Sequence, residues 1–309
     1  MLRELTQAIV LSYLQLVSGT FNTRSMQAEL GIITPEGKGH LRVILHRLCE
    51  AGVIAKTSLD GTYRKIEAEK VPMDWRSADP GNIVALKWPF ELEKYAAIYP
   101  KNIALIAGSK QEGKSTFLYN FIKLNMNKHR IDLFNSETGK EQMKDRFVDL
   151  GIPLDAPFDV YERYDNFADV IDPDRISVID YLDLNSEFYL AGAEIDAIFR
   201  KLNTGIAVIG MQIPPPTVTY TKGGVKKVID RDYAYGGGTT AKRAFIYVSM
   251  SSHRLKLKHV KKPTQKKVNP ENMCWSYTFN EVGNFCNIER YYGEKPHFQC
   301  NTRNACNGW

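Results

Sequence analysis

The sequence predicts an α/β protein in which a domain built on a mainly parallel central sheet follows a smaller, mostly helical unit. Two observations predict it. From about residue 83, short apolar runs alternate with helical stretches, as strands buried on both faces alternate with crossover helices. Before about residue 67 the pattern differs: three helix-spaced segments lead into two short strands. A length of 309 residues fits about two domains. A hydrophobic content of 43% and a charged content of 25% are ordinary for a globular chain and sufficient for a sizeable core.

Within residues 1–67, "MLRELTQAIVLSYLQLV" sets Leu5, Ile9, Tyr13 and Leu16 along one helical face. Arg3, Glu4 and Gln7 interrupt its apolar portion, so it reads as an amphipathic helix over about 2–17 and not as a signal peptide. A shorter helix follows Ser25 and ends near Leu30-Gly31. A third covers "GKGHLRVILHRLCEAG", with Leu41, Ile44, Leu45 and Leu48 as a core stripe and Gly52 as its stop. "VIAKTSLDGTYRKIE" is two strands about Asp60-Gly61, a hairpin signal. Three helices and a hairpin resemble a winged helix-turn-helix. In that architecture the third helix enters the major groove of DNA. Lys38, Arg42, His46 and Arg47 lie off the apolar stripe and are candidate DNA contacts, with Lys56, Arg64 and Lys65 on the wing. A protein-contact module with a solvated basic face is the alternative. "EAEKVPMDWRSADPGN" mixes charge, Pro and Gly without a period, which marks a linker over 68–82.

The second domain is expected over 83–293. Its strands are "NIALIAG", "RIDLFNSE", "RISVIDYLDL", "GIAVIGMQ" and "RAFIYVSM", with helices in "KSTFLYNFIKLNMNKH" and "AEIDAIFRKLN". "MCWSYTFNEVGNFCNIERYYG" reads as a hairpin around Val282-Gly283-Asn284. The tail, 294–309, has no readable structure. The five cysteines form no C-x-x-C pair and are expected as reduced thiols of a cytoplasmic protein. No run of about 18 apolar residues suggests a membrane span.

The stretch "GSKQEGKST" carries the chemistry. It matches G-x-x-x-x-G-K-[ST] and lies after an expected strand and before an expected helix. Gly108 and Gly113 let the backbone of Ser109, Lys110, Gln111 and Glu112 curl so that N–H groups face phosphate oxygens. Lys114 is expected at the β- and γ-phosphates of ATP, Ser115 on Mg²⁺ and Thr116 near the α-phosphate. The run "RISVIDYLDL" ends in Asp180, a carboxylate suited to the water shell of Mg²⁺, with Asp183 as the weaker candidate. Glu137 ends "RIDLFNSE". That strand is expected beside the phosphate-loop strand, where a carboxylate meets the attacking water; the alternative role for Glu137 is an acid at a helix N-terminus. Gln212 ends "GIAVIGMQ", as a γ-phosphate sensor or a structural hydrogen-bonding amide.

The set "GSKQEGKST", "FNSETGKEQMKDRF", "VIDYLDL" and "IGMQ", in this order, resembles the RecA-like P-loop ATPases and most of all the DnaB-type replicative helicase core. Ser136-Glu137 and Arg146 match one motif of that family, and Asp180-Tyr181-Leu182-Asp183-Leu184 matches another. The resemblance covers about 85–292. It implies Glu137 as the catalytic carboxylate, Gln212 as the coupling residue, and a ring or filament in which a basic residue reaches the neighbouring nucleotide. That residue is sought among Lys258, Lys261 and Lys262 of "KLKHVKKPTQ", with Lys261 first. The family's own N-terminal domain is missing, with the winged helix in its place, and a proline stands where an arginine is expected.

The long segment "IPPPTVTYTKGGVKKVIDRDYAYGGGTT" follows Gln212. Lys222, Lys226, Lys227 and Arg231, with Tyr220, Tyr233 and Tyr235, combine cations with stacking rings and suit single-stranded nucleic acid; a subunit-contact hairpin is the alternative. "RLKLKHVKKPTQKK" carries seven Lys and Arg and no acid, in strand-like alternation. A formal net charge of +6 leans mildly toward polyanions. The sequence thus predicts an oligomeric, DNA-binding, Mg²⁺-dependent ATPase, helicase-like, of a phage, plasmid or other mobile element. A recombinase-like filament and an ATP-switched regulator are the alternatives.

Overall fold

A computed structural model describes residues 5–16, 19–66, 70, 72–182, 188–215, 217–220, 226–229 and 231–293, without the side chains of 16, 188–190, 217–220 and 226–229. Asp183, Lys222 and the tail lie outside the described residues. The chain forms two compact units, Met1–Ala78 and Asp79–Trp309.

The first unit runs α1 (Gln7–Leu16), β1 (Thr20–Asn22), α2 (Thr23–Glu29), α3 (Pro35–Glu50), β2 (Ile54–Lys56) and β3 (Thr62–Lys65). Asn22 caps α2: its side chain accepts from Ser25 N at 2.7 Å, so the helix begins before Ser25. Thr34 caps α3 by accepting from Gly37 N at 3.1 Å, and Pro35 supplies a preset first turn. The expected stripe of Leu41, Ile44, Leu45 and Leu48 is buried, with Val10, Tyr13, Leu14, Phe21, Met26 and Ile54. β2 and β3 form the expected antiparallel hairpin. β1 adds a third strand on the other side of β3, pairing Thr20 with Arg64.

The second unit continues with β4 (Ile103–Gly108), α4 (Lys114–Asn125), β5 (Ile131–Asn135), α5 (Lys140–Asp149), β6 (Asp159–Glu162), β7 (Ile176–Asp180), α6 (Phe188–Lys201) and β8 (Ile206–Gln212). After β8 come β9 (Thr217–Tyr220), β10 (Lys226–Ile229), α7 (Gly238–Ala241), β11 (Ala244–Ser251), β12 (Arg254–Val260), β13 (Cys274–Phe279) and β14 (Phe285–Tyr291). Among the described residues nine strands make one sheet in the order β14-β13-β12-β11-β4-β8-β7-β5-β6. Neighbours from β11 to β6 are parallel, and β12, β13 and β14 extend the sheet antiparallel.

Helices cover both faces of the parallel half. Phe117, Leu118, Phe121 and Ile122 of α4 and Met143 of α5 pack over Ile106, Leu133, Val178 and Val208. Ala191, Ile195 and Ile198 of α6 cover the opposite face with Leu105, Ile179 and Ile209. This double covering is why these strands read as unbroken apolar runs. The mixed α/β architecture with a large, mostly parallel sheet agrees with the RecA-like expectation.

One expectation is corrected. β5 does not lie beside the phosphate-loop strand: β8 and β7 stand between β4 and β5. The crossover through α4 skips two positions that the later strands fill. The segment after Gln212 does contain a hairpin, with Lys226 opposite Tyr220 and Ile229 opposite Thr217. β12 buries Leu255 and Leu257 in alternation, as its pattern predicts. Among the described residues no helix is long and apolar enough to cross a membrane.

Candidate active site

Residues 108–116 leave the carboxyl end of β4 and enter α4. Their curl needs glycine at two points. A Cβ on Gly108 would stand 2.7 Å from Lys114 Cγ. Gly113 has φ +80°, and a Cβ there would meet Phe279 Cζ at 2.7 Å. The loop is braced from outside. Ser109 N donates to Met250 O at 3.0 Å, and Glu112 Oε2 accepts from His253 N at 2.8 Å. The Tyr277 hydroxyl donates to Glu112 O at 2.8 Å. Glu112 is thus a strut of the loop and not a reactive carboxylate. Residues 108–116 thus have the shape that the P-loop spacing of the sequence predicts, between β4 and α4.

Lys114 opens α4, and its Nζ donates to Ser109 O at 3.1 Å. Burial pulls the ammonium below its ordinary pKa, against the charges of Glu137, Asp180 and Glu112. Ser115 Oγ donates to Asp180 Oδ1 at 3.1 Å, joining the loop to the end of β7. Asp180 is 1% exposed, and its Oδ2 is buried without a hydrogen-bond partner among the described residues. Burial is the main cause that raises the Asp180 carboxyl pKa, opposed by Tyr119 and Ser115. A hydroxyl against a carboxylate with one uncompensated oxygen is a hard-oxygen donor set that fits Mg²⁺.

Glu137 lies two residues beyond the end of β5. Asn135 shapes that turn, its Oδ1 accepting from Thr138 N at 3.2 Å and Thr138 Oγ1 at 2.9 Å. Ser136 fastens it to β7: Ser136 N donates to Asp180 O at 3.0 Å, and Ser136 Oγ donates to Tyr181 O at 2.7 Å. β7 adjoins β5, so Glu137 reaches the P-loop although β5 does not adjoin β4. Gln212 closes β8 directly opposite Gly108, and its carbonyl accepts from Tyr235 N at 3.0 Å. Lys114, Ser115, Thr116, Glu137, Arg146 and Gln212 line one cleft of about 620 Å³, whose far wall is Phe279, Val282 and Gly283.

Comparison with known proteins gives fold-level likeness only. No family model and no curated protein matches the sequence. Among solved structures, a RadB recombinase is 12% identical, with a TM-score of 0.41 over 64% of this chain and 92% of that one. A DnaB-like replicative helicase, solved in a study of its interactions with primase, is 16% identical, with a TM-score of 0.48 over 69% of this chain and 66% of that one.

Other expected residues stand apart from the cleft. Lys261 follows the end of β12 that pairs with the start of β11, whereas the P-loop follows the far end of β4. It is exposed and does not join its own chain's site. Lys258 is tied with Lys256 to Asp232, at 3.0 and 2.8 Å. Lys262 Nζ stands 5.5 Å from the centroid of the Tyr99 ring. Lys226 and Lys227 lie on β10, and Arg231 is exposed just beyond it. In the first unit Lys38, Arg42, His46 and Arg47 are exposed on α3.

Two parts of the cleft escaped the sequence reading. Tyr119 lines it from α4, four residues after Ser115; that helical spacing was the available signal. The hairpin wall had none. Thr116 Oγ1 donates to Gly283 O at 3.3 Å and Asn120 Nδ2 to Asn284 Oδ1 at 2.9 Å, contacts made across more than half the chain.

Proposed function

We propose that this chain is an oligomeric, Mg²⁺-dependent ATPase that acts on DNA, with helicase-like translocation in replication or recombination as its work. The observation that carries the reading is the convergence of Lys114, the Ser115–Asp180 pair, Glu137 and Gln212 on one cleft, from four different strand ends. The N–H groups of the first turn of α4 and the Lys114 ammonium bind the β- and γ-phosphates. Ser115 and Asp180 would hold Mg²⁺, which would supply neutralising charge to the phosphates. Glu137 accepts a proton from a water that attacks the γ-phosphorus in line; ADP leaves, and inorganic phosphate is formed. Gln212 pairs with the P-loop strand on one side and holds Tyr235 on the other, so a change at the γ-phosphate is felt at the root of the segment carrying β9 and β10. Lys261 of a neighbouring copy is the candidate for the cation that completes the site.

The order helix, strand, helix, helix, strand, strand, with the apolar stripe of α3 inward and its cations outward, supports a winged helix that presents α3 to duplex DNA. The cations of residues 222–231 suit a single strand. The test is ATP turnover without DNA, with single-stranded DNA and with duplex, beside a Lys114→Ala control. Turnover stimulated by DNA and abolished by the substitution is expected. Turnover intact in Lys114→Ala overturns the site, and turnover indifferent to every DNA overturns the motor.

A further inference from the structure

Two buried polar atoms beside the P-loop lack a hydrogen-bond partner among the described residues: the Tyr119 hydroxyl and Asp180 Oδ2. They are neighbours. Tyr119 stands one helical turn after Ser115, on the face of α4 whose hydroxyl already meets Asp180 Oδ1. The phenol and the carboxylate are near enough for each to perturb the other, yet no bond of acceptable geometry joins them. Thr138 and Arg146 also act on the phenol, and Thr138 has committed its proton to Asn135. The ring is fully buried and edge-on to Phe147, with centroids 5.1 Å apart. Phenylalanine would fill this space equally well. Burying a hydroxyl that donates to nothing is unfavourable, so packing does not account for the oxygen.

We infer that Tyr119 is a positioning residue for the site's divalent cation: its hydroxyl donates to Asp180 Oδ2 when the cation binds, fixes the carboxylate plane, and leaves Oδ1 beside Ser115 to face the cation's water shell. A phenol carries its proton at neutral pH and so can donate. Ser115 and Tyr119, a turn apart on one helix, thus grip the two oxygens of one carboxylate. The inference rests on the reading of 108–116 and Asp180 as a Mg²⁺–nucleotide site.

The test uses the full chain and Tyr119→Phe, which keeps the ring. Thermal unfolding is measured without ligand, with a non-hydrolysable ATP analogue in chelator, and with the analogue across a Mg²⁺ titration. Without ligand the variant unfolds at the wild-type temperature or above it, because an unpaired buried hydroxyl has been removed. Analogue binding in chelator is unchanged. The Mg²⁺ concentration for half-maximal stabilisation rises about tenfold, the loss of one charge-assisted hydrogen bond. An unshifted Mg²⁺ titration, or a fall in ligand-free unfolding temperature, overturns the role. If the wild type itself gains nothing from Mg²⁺ with the analogue, the nucleotide-site reading fails first and this inference falls with it.

Discussion

Ser136 Oγ donates to the carbonyl oxygen of Tyr181 at 2.7 Å, and through that bond the turn carrying Glu137 is fastened to the strand end carrying Asp180. The two carboxylates come from strands whose order separates one of them from the P-loop by two places. Ser136→Ala should therefore loosen Glu137 without touching the phosphates. The expected outcome is turnover lower by about five- to tenfold, the worth of one hydrogen bond, with nucleotide affinity unchanged. Glu137→Gln should be more severe, about 10²- to 10⁴-fold in turnover, again with binding retained. Single-turnover hydrolysis beside fluorescent-nucleotide titration separates the two quantities.

Gly113→Ala should fail for two separable reasons. Its φ of +80° strains any residue with a Cβ, and that Cβ would press on the Phe279 ring. A loss of about 2–4 kcal/mol in stability is expected from strain and overpacking together. Adding Phe279→Leu should relieve the crowding and leave the backbone strain. Urea unfolding of the single and double variants measures the difference.

Asp232 gives the fold a pH dependence. Burial opposes its charge, but the hydrogen bonds and charges of Lys256 and Lys258 outweigh burial and hold the carboxyl below its ordinary pKa. A depressed folded value stabilises fully above the unfolded carboxylate value near about 4, and the gain is lost as pH falls through the lower folded value. Asp232→Asn should thus be less stable than wild type at pH 7 by about 1–2 kcal/mol, with the gap closing below about pH 4. Chemical denaturation at pH 7, 5 and 3 tests the sign.

The exposed cations of α3 lead to a charge-reversal prediction. Arg42→Glu with Arg47→Glu should weaken duplex binding by at least about tenfold and flatten its salt dependence, because phosphate contacts are lost. ATP turnover without DNA should stay at the wild-type level. Fluorescence anisotropy across a salt series measures the first effect and a phosphate-release assay the second.

The strands and the loop 108–116 were more legible in the sequence than the order of the strands. Gly108, Gly113, Lys114 and Ser115 follow a spacing that phosphate binding itself imposes, and Asp180 ends an apolar run that helices on both faces explain. The order of strands was hidden, because a crossover helix does not record how many places it skips; hence the misplaced β5. β6 was missed for another reason. It is an edge strand whose four residues are all exposed, so it carries no apolar run. β1 is three residues long, too short for any period to register. Tyr119 passed as one more apolar position of α4, since its packing and its hydroxyl answer to different neighbours.

The P-loop leans on the last hairpin of the core. Tyr277 grips Glu112 across 165 residues of chain, and Thr116 holds Gly283 across 167. A nascent polypeptide that has emerged from the ribosome only as far as β12 therefore owns the whole phosphate-gripping motif and not its supports. On the proposed reading, competence to hold a nucleotide waits until β13 and β14 have emerged, and a fragment trimmed before β13 would carry the signature of the site without its rigidity.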